Sequence, residues 1–218
     1  MFIYVPASSY MLQYVYASLA AYVASFALGI AGLHAASAAA GVASVVFSGL
    51  ALARAYAWLQ ALRDAFWERI SGVWLGGEYV AAIWLYVISG VGVHAVGAVL
   101  TDLLRSMAFQ PVGFQPVGQD LTRLVGVVAL VLGLLALVGV GLVAWAYLIE
   151  VFTRDLYLIR AVAGVGAFKP SSATFYIVLS LVTTGFLYYY WLYQVWRWIS
   201  QMRSSTALPT SSPGPVAQ

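Results

Sequence analysis

The sequence predicts an all-α, polytopic transmembrane helical bundle with about five spans and an amphipathic interfacial helix. The first observation behind this is composition: 63% of residues are hydrophobic and only 8% charged, where a soluble domain carries roughly 25% charged residues to cover its surface. The second is that apolar runs long enough to cross about 30 Å of hydrocarbon follow one another with short polar breaks. A third is that Arg, Lys, Asp and Glu flank those runs and stay out of them.

The first span is expected from Tyr10 to Leu33, with no Lys or Arg before it. It is too long for a signal-peptide core, so it reads as an uncleaved span although Ala36-Ser37-Ala38 resembles a cleavage site. The second, from Ala38 to Leu59, follows after a short break at His34 to Ser37, which predicts a tight hairpin turning on Gly29, Gly32 and alanines. From Ala57 to Ile70, Trp58, Leu62, Phe66 and Ile70 share one helical face, and Gln60, Arg63, Asp64 and Glu68 the other. Such a segment lies in the headgroup plane or extends the second span beyond it.

Ser71-Gly72 and Gly76-Gly77 end that pattern, and the third span is expected from Glu78 to Leu104. The fourth runs from Leu121 to Leu148 and continues as helix past Arg154. Between them stands a perfect tandem repeat, Phe109 to Gly113 and Phe114 to Gly118, whose prolines and glycines oppose helix and favour turns. Pro170 stops the next segment, and Ser171-Ser172 offers a cap to a fifth span from Thr174 to Tyr193. That span closes in an aromatic block including Tyr188, Tyr189, Tyr190, Trp191, Trp196 and Trp198, expected at the membrane interface. Residues 1–203 thus form a single transmembrane domain, and 204–218 a low-complexity tail of Ser, Thr, Pro and Gly.

Cysteine is absent, which excludes disulfides, thiolate metal sites and a cysteine nucleophile. No basic block suits nucleic acid. No His-Glu-x-x-His, Gly-x-Ser-x-Gly or phosphate loop occurs, so the sequence shows no catalytic site. Asp102 and Arg105, Asp120 and Arg123, and Glu150 and Arg154 stand at helical pair spacing at the span ends, where they read as charged collars.

Two groups remain as candidates. His94 is the ionisable residue well inside a span, and His34 falls in the same half of the bilayer; two imidazoles on different helices are what haem b ligation requires. Gly90, Gly97 and Thr101 share the stripe of His94, and would either leave room for a flat macrocycle or let a neighbouring helix come close. In the fourth span, Gly126, Ala129, Gly133, Ala136 and Val140 form a small-residue seam that fits a subunit interface and internal packing equally. A polar row of Ser18, Tyr22, Ser25, Ser44 and Ser48 leaves open a small-solute pore.

The run Thr183-Thr184-Gly185-Phe186-Leu187-Tyr188-Tyr189-Tyr190-Trp191-Leu192-Tyr193 resembles the Thr-x-Gly-(Ile/Phe)-Tyr…Trp-Leu-Tyr signature of small prokaryotic membrane proteins classed as a domain of unknown function. The resemblance covers the last span, implies a prokaryotic membrane protein without an assigned activity, and carries over no functional residue. The expectation is therefore a multi-pass protein of the cell membrane, a non-catalytic accessory or structural subunit that contacts lipid and other membrane subunits or further copies of itself. The alternatives are a haem b electron-transfer subunit using His34 and His94, and a small-solute pore or transporter.

Overall fold

The computed structural model describes residues 9–66, 78–108, 117–164 and 171–206. Among these residues there are six helices and no strand: α1 Ser9–Ile30, α2 His34–Ala65, α3 Tyr79–Ala108, α4 Val117–Ala163, α5 Ala173–Val182 and α6 Phe186–Thr206. Four of them are long and apolar enough to cross a membrane, within Tyr10–Ile30, His34–Asp64, Tyr79–Met107 and Thr122–Val162, and they mark the chain as a membrane protein. The end of the amphipathic segment at 67–70, the tandem repeat before Val117, Lys169-Pro170 and the tail beyond 206 lie outside the described residues.

The chain divides into two compact units. The membrane unit takes residues 10–53, 78–108 and 117–148; the second unit takes 54–66, 149–164 and 171–206. The division follows charge. No Asp, Glu, Lys or Arg occurs from Tyr10 to Ala53, from Tyr79 to Thr101 or from Leu124 to Ile149, so the membrane unit owns the segments that hydrocarbon tolerates. The apolar stretches within α2 and α4 have 31 and 41 residues, about 47 and 62 Å at 1.5 Å per residue, well beyond a hydrocarbon core of roughly 30 Å. Their charged ends, 54–65 and 150–163, belong to the second unit.

Within the membrane unit the helices meet as a meander, each against the next. α1 and α2 join through serines: Ser18 Oγ donates to the Ser44 carbonyl at 2.7 Å and lies 2.6 Å from Ser48 Oγ, while Ser44 Oγ donates to the Ser18 carbonyl at 3.0 Å. One step nearer the turn, Ser25 Oγ and the Ser37 carbonyl, and Ser37 Oγ and the Ser25 carbonyl, are each 2.8 Å apart. The serines expected as a pore lining are therefore taken up in a seam between two helices, Tyr22 apart. In the hairpin turn, Leu33 N bonds to the Leu28 carbonyl and Gly32 N to the Gly29 carbonyl, with Gly32 at φ 76°. This is the Schellman closure, and it needs a residue without Cβ at Gly32. It is compact enough that α2 begins at His34, four residues before the expected Ala38.

α4 also begins earlier than expected, at Val117 inside the second copy of the repeat, because a helix opening directly after a proline loses no hydrogen bond in its first turn. The larger difference concerns the expected fifth span. Thr183-Thr184-Gly185 breaks it into α5 and α6, and the Tyr176 and Trp198 rings lie 6.3 Å apart, so the two helices fold back on each other. The 10 residues of α5 make about 15 Å of helix, half of what a crossing needs.

Ser18 is fully buried and joins two hydrogen bonds across the α1–α2 seam. Ser18→Ala should lower stability by about 1 kcal/mol, read as an earlier midpoint of unfolding in mixed micelles, whereas Ser106→Ala, exposed near the end of α3, should leave it unchanged.

Candidate functional site

The α2–α3 contact is built from glycines facing side chains. Gly41 stands opposite His94, Val45 opposite Gly90, and Gly49 opposite Val87. As one number rises by four the other falls by three or four, as two antiparallel helices meeting along one ridge require. A Cβ on Gly41 would lie 2.5 Å from Nδ1 and 2.6 Å from Nε2 of His94, with Cε1 nearer still. The ring edge that carries both nitrogens thus rests on the bare backbone of α2.

This placement bears on haem b. A haem iron needs a clear line to one imidazole nitrogen with room for the macrocycle around it, and the α2 backbone at Gly41 stands against the ring edge between the two nitrogens. Gly90, expected to make room for a macrocycle, instead receives the Val45 side chain, at 2.8 Å and 3.0 Å from a Cβ built there. Around Gly97 nothing lies within 4 Å, and the Thr101 hydroxyl turns back to the Gly97 carbonyl at 2.8 Å. His34 opens α2 and is half-buried. Haem between His34 and His94 would have to displace the helix contact that seats His94; as they stand, the residues do not fit it.

α4 shows two neighbouring stripes of small residues with different fates. Along one, Leu137 fills the space over Gly92 of α3, and the Ser89 hydroxyl lies 2.9 Å from a Cβ built on Gly141. Along the other, Gly126 and Gly133 have no atom within 4 Å of such a Cβ, and Ala129, Gly133, Ala136 and Val140 are exposed. The seam is therefore an outer surface of the chain. Leu132, Leu135 and Val143, at 60%, 62% and 72% exposure, continue it as an apolar face with no described neighbour.

The second unit holds a residue that sequence reasoning passed over. Asp155 is wholly buried, on one stripe of α4 with Leu148, Phe152 and Ile159, all buried. Its Oδ1 accepts from Arg154 Nε at 3.0 Å, while the Arg154 side chain stays 39% exposed. Arg154 therefore serves Asp155, not the expected Glu150, which is exposed. The signal was available: a carboxylate at the seventh position after Leu148 sits on the apolar stripe of the helix. Beside it, the indole N–H of Trp191 donates to Thr153 Oγ1 at 3.0 Å, the Trp191 ring meets Phe152 edge-on at 6.2 Å, and Tyr188 stacks on it at 5.8 Å. Tyr188, Tyr189, Trp191 and Trp198, expected as an interfacial belt, are thus core residues of this unit. Phe186 and Tyr190 remain outside, at 51% and 48% exposure.

Chemically these arrangements pack and pair. Among the described residues no three of His, Cys, Asp and Glu gather as a metal site would need. The Gly41–His94 contact has a direct test. Gly41→Ala should cost about 1 to 3 kcal/mol through overpacking, and His94→Ala in the same chain should recover part of it; equal losses in the single and double variants would show that the two residues do not meet.

No family model, no curated protein and no solved structure matches this chain.

Proposed function

We propose that the chain is a non-catalytic integral subunit of a larger assembly in the cell membrane, joined to another membrane subunit through the outer seam of α4. The observation that carries this reading is that Gly126, Ala129, Gly133 and Ala136 line one stripe with no side chain of the described residues over the glycines. In lipid, helix association is driven by close packing and not by apolar burial, and bare backbone is what permits it. Elsewhere in the same unit, Gly41, Gly49 and Gly90 between α2 and α3 and Gly92 and Gly141 between α3 and α4 each have a side chain seated on them, while Gly97 and Gly139 stand open as Gly126 and Gly133 do. The seam of α4 repeats that chemistry with its place vacant.

Positive charge supports one orientation. With four crossings, Arg54, Arg63, Arg69, Arg154, Arg160, Lys169, Arg197 and Arg203 fall on the side of the N-terminus, and the remaining two basic residues, Arg105 and Arg123, on the other. Lys and Arg collect on the cytoplasmic side, so the N-terminus and the second unit are cytoplasmic in this reading.

The absence of cysteine makes single-cysteine variants direct probes. A cross-linker placed at Ala129→Cys or Ala136→Cys in native membranes should capture a second polypeptide. Gly133→Leu should weaken the association roughly tenfold or more, about 1.4 kcal/mol, without changing the unfolding midpoint. A monomer with no adduct at either position would overturn the proposal, and an adduct with a second copy would make the assembly homo-oligomeric. For orientation, Ser106→Cys should react with an impermeant maleimide on intact cells, and Ser171→Cys only after permeabilisation; the reverse pattern would invert the topology.

A further inference from the structure

From Pro170 to Trp196 the chain carries no charged residue, and the structure folds the middle of this run back on itself at Thr183-Thr184-Gly185. The outward face of the fold-back is mainly apolar, with Thr174 and Thr184 also exposed. On α5, Phe175, Val178 and Val182 follow at helical spacing with Leu181 beside them, and on α6 Phe186 and Tyr190 continue the face; all six are exposed, Val182 at 72%. The inward face, with Tyr176, Tyr188 and Trp191, is buried in the second unit.

The turn pairs its own backbone donors. Thr183 N donates to the Leu179 carbonyl at 2.9 Å, Thr184 N to Leu181 at 3.3 Å, Gly185 N to Ser180 at 2.7 Å, Phe186 N to Thr183 at 3.2 Å and Tyr188 N to Gly185 at 3.1 Å. The remaining donor, Leu187 N, reaches Thr183 Oγ1 at 3.2 Å, and that hydroxyl donates in turn to the Leu179 carbonyl at 2.7 Å. Every backbone N–H from Thr183 to Tyr188 is therefore satisfied inside the turn. A turn in water gains little from this, because water serves the same groups; a turn in hydrocarbon cannot exist without it. The closure is also held at a cost, since Thr184, a β-branched residue, sits at φ 51°.

We propose that the α5–α6 hairpin is a re-entrant element that dips into the acyl region of a single membrane leaflet and leaves on the side it entered. The dimensions fit one leaflet. α5 reaches about 15 Å from its Ser172 cap to Val182, and α6 regains a charge at Arg197 about 17 Å from Phe186, each close to half of a hydrocarbon core of roughly 30 Å. The occupant of the exposed face is lipid: six exposed apolar or aromatic residues run from Phe175 to Tyr190 without a charge among them, the hydroxyls beside them being those of Thr174, Thr184 and Tyr190, and the run stays uncharged up to Arg197.

The test uses the full chain in sealed phosphatidylcholine–phosphatidylglycerol vesicles, with an environment-sensitive fluorophore on a single cysteine and lipids carrying a spin-label quencher at a shallow or a deep position of the acyl chain. A probe at Val182→Cys should be blue-shifted and quenched most by the deep label, and one at Phe175→Cys most by the shallow label. Leu181→Cys serves as a second tip position should Val182→Cys disturb the turn. Impermeant maleimide should reach Ser171→Cys and Ser204→Cys from the same side. An unquenched tip would place the face against protein or water and overturn the proposal, as would labelling of Ser171→Cys and Ser204→Cys from opposite sides, which is the signature of a full crossing. Both readouts are independent of whether the α4 seam captures a partner.

Discussion

Hydrocarbon offers the polypeptide no hydrogen bonds, and the rest of this structure follows from that constraint. Each residue brings a backbone donor and acceptor that cost several kcal/mol if left unpaired in lipid. The described membrane unit is accordingly helix from Tyr10 to Leu148 apart from its connections, and where the chain reverses between α1 and α2 the reversal is a Schellman closure that consumes its own orphan groups. The turn between α5 and α6 solves the same problem with a threonine at positive φ and a threonine hydroxyl standing in for a missing carbonyl. Side-chain hydroxyls obey the rule as well: the serines of α1 and α2 answer one another across the seam.

Once the backbone is satisfied, shape decides what holds the helices together, because apolar residues gain nothing by leaving lipid for each other. The membrane unit is organised by the removal of side chains. Gly41 admits an imidazole, Gly49 and Gly90 admit valines, and Gly92 admits a leucine. His94 belongs to this scheme as a flat ring fitted to the bare backbone at Gly41.

Charge follows a complementary division. From Tyr10 to Ala53, Tyr79 to Thr101 and Leu124 to Leu148 the membrane unit has no charged residue, whereas the second unit buries one, the Asp155 carboxylate, which pairs with Arg154 and shares the buried stripe of Phe152 and Ile159. A buried carboxylate is costly without a partner, and Arg154, itself partly exposed, supplies one at the buried face of α4. The aromatic end of α6 meets α4 beside it: Trp191 has its polar edge on Thr153 and its ring on Phe152.

The sequence by itself determined the class of fold, the first four of its five expected spans, the hairpin at Gly32 and the small-residue stripes, because each depends on local matters: apolar length, absence of charge, a glycine where a turn needs one. Tertiary structure decided the questions of partnership. Gly126 and Gly141 look alike in the sequence, yet only Gly141 meets a neighbour, and which of two stripes faces α3 depends on the rotation of a helix about its axis, which composition does not encode. Asp155 drew no reading from the sequence, and the structure buries it on the apolar stripe of α4. The last apolar run is long enough to cross, and its only interruption, Thr-Thr-Gly, is too mild a signal to predict a reversal; the reversal exists because the inward face of α6 has aromatic partners on α4.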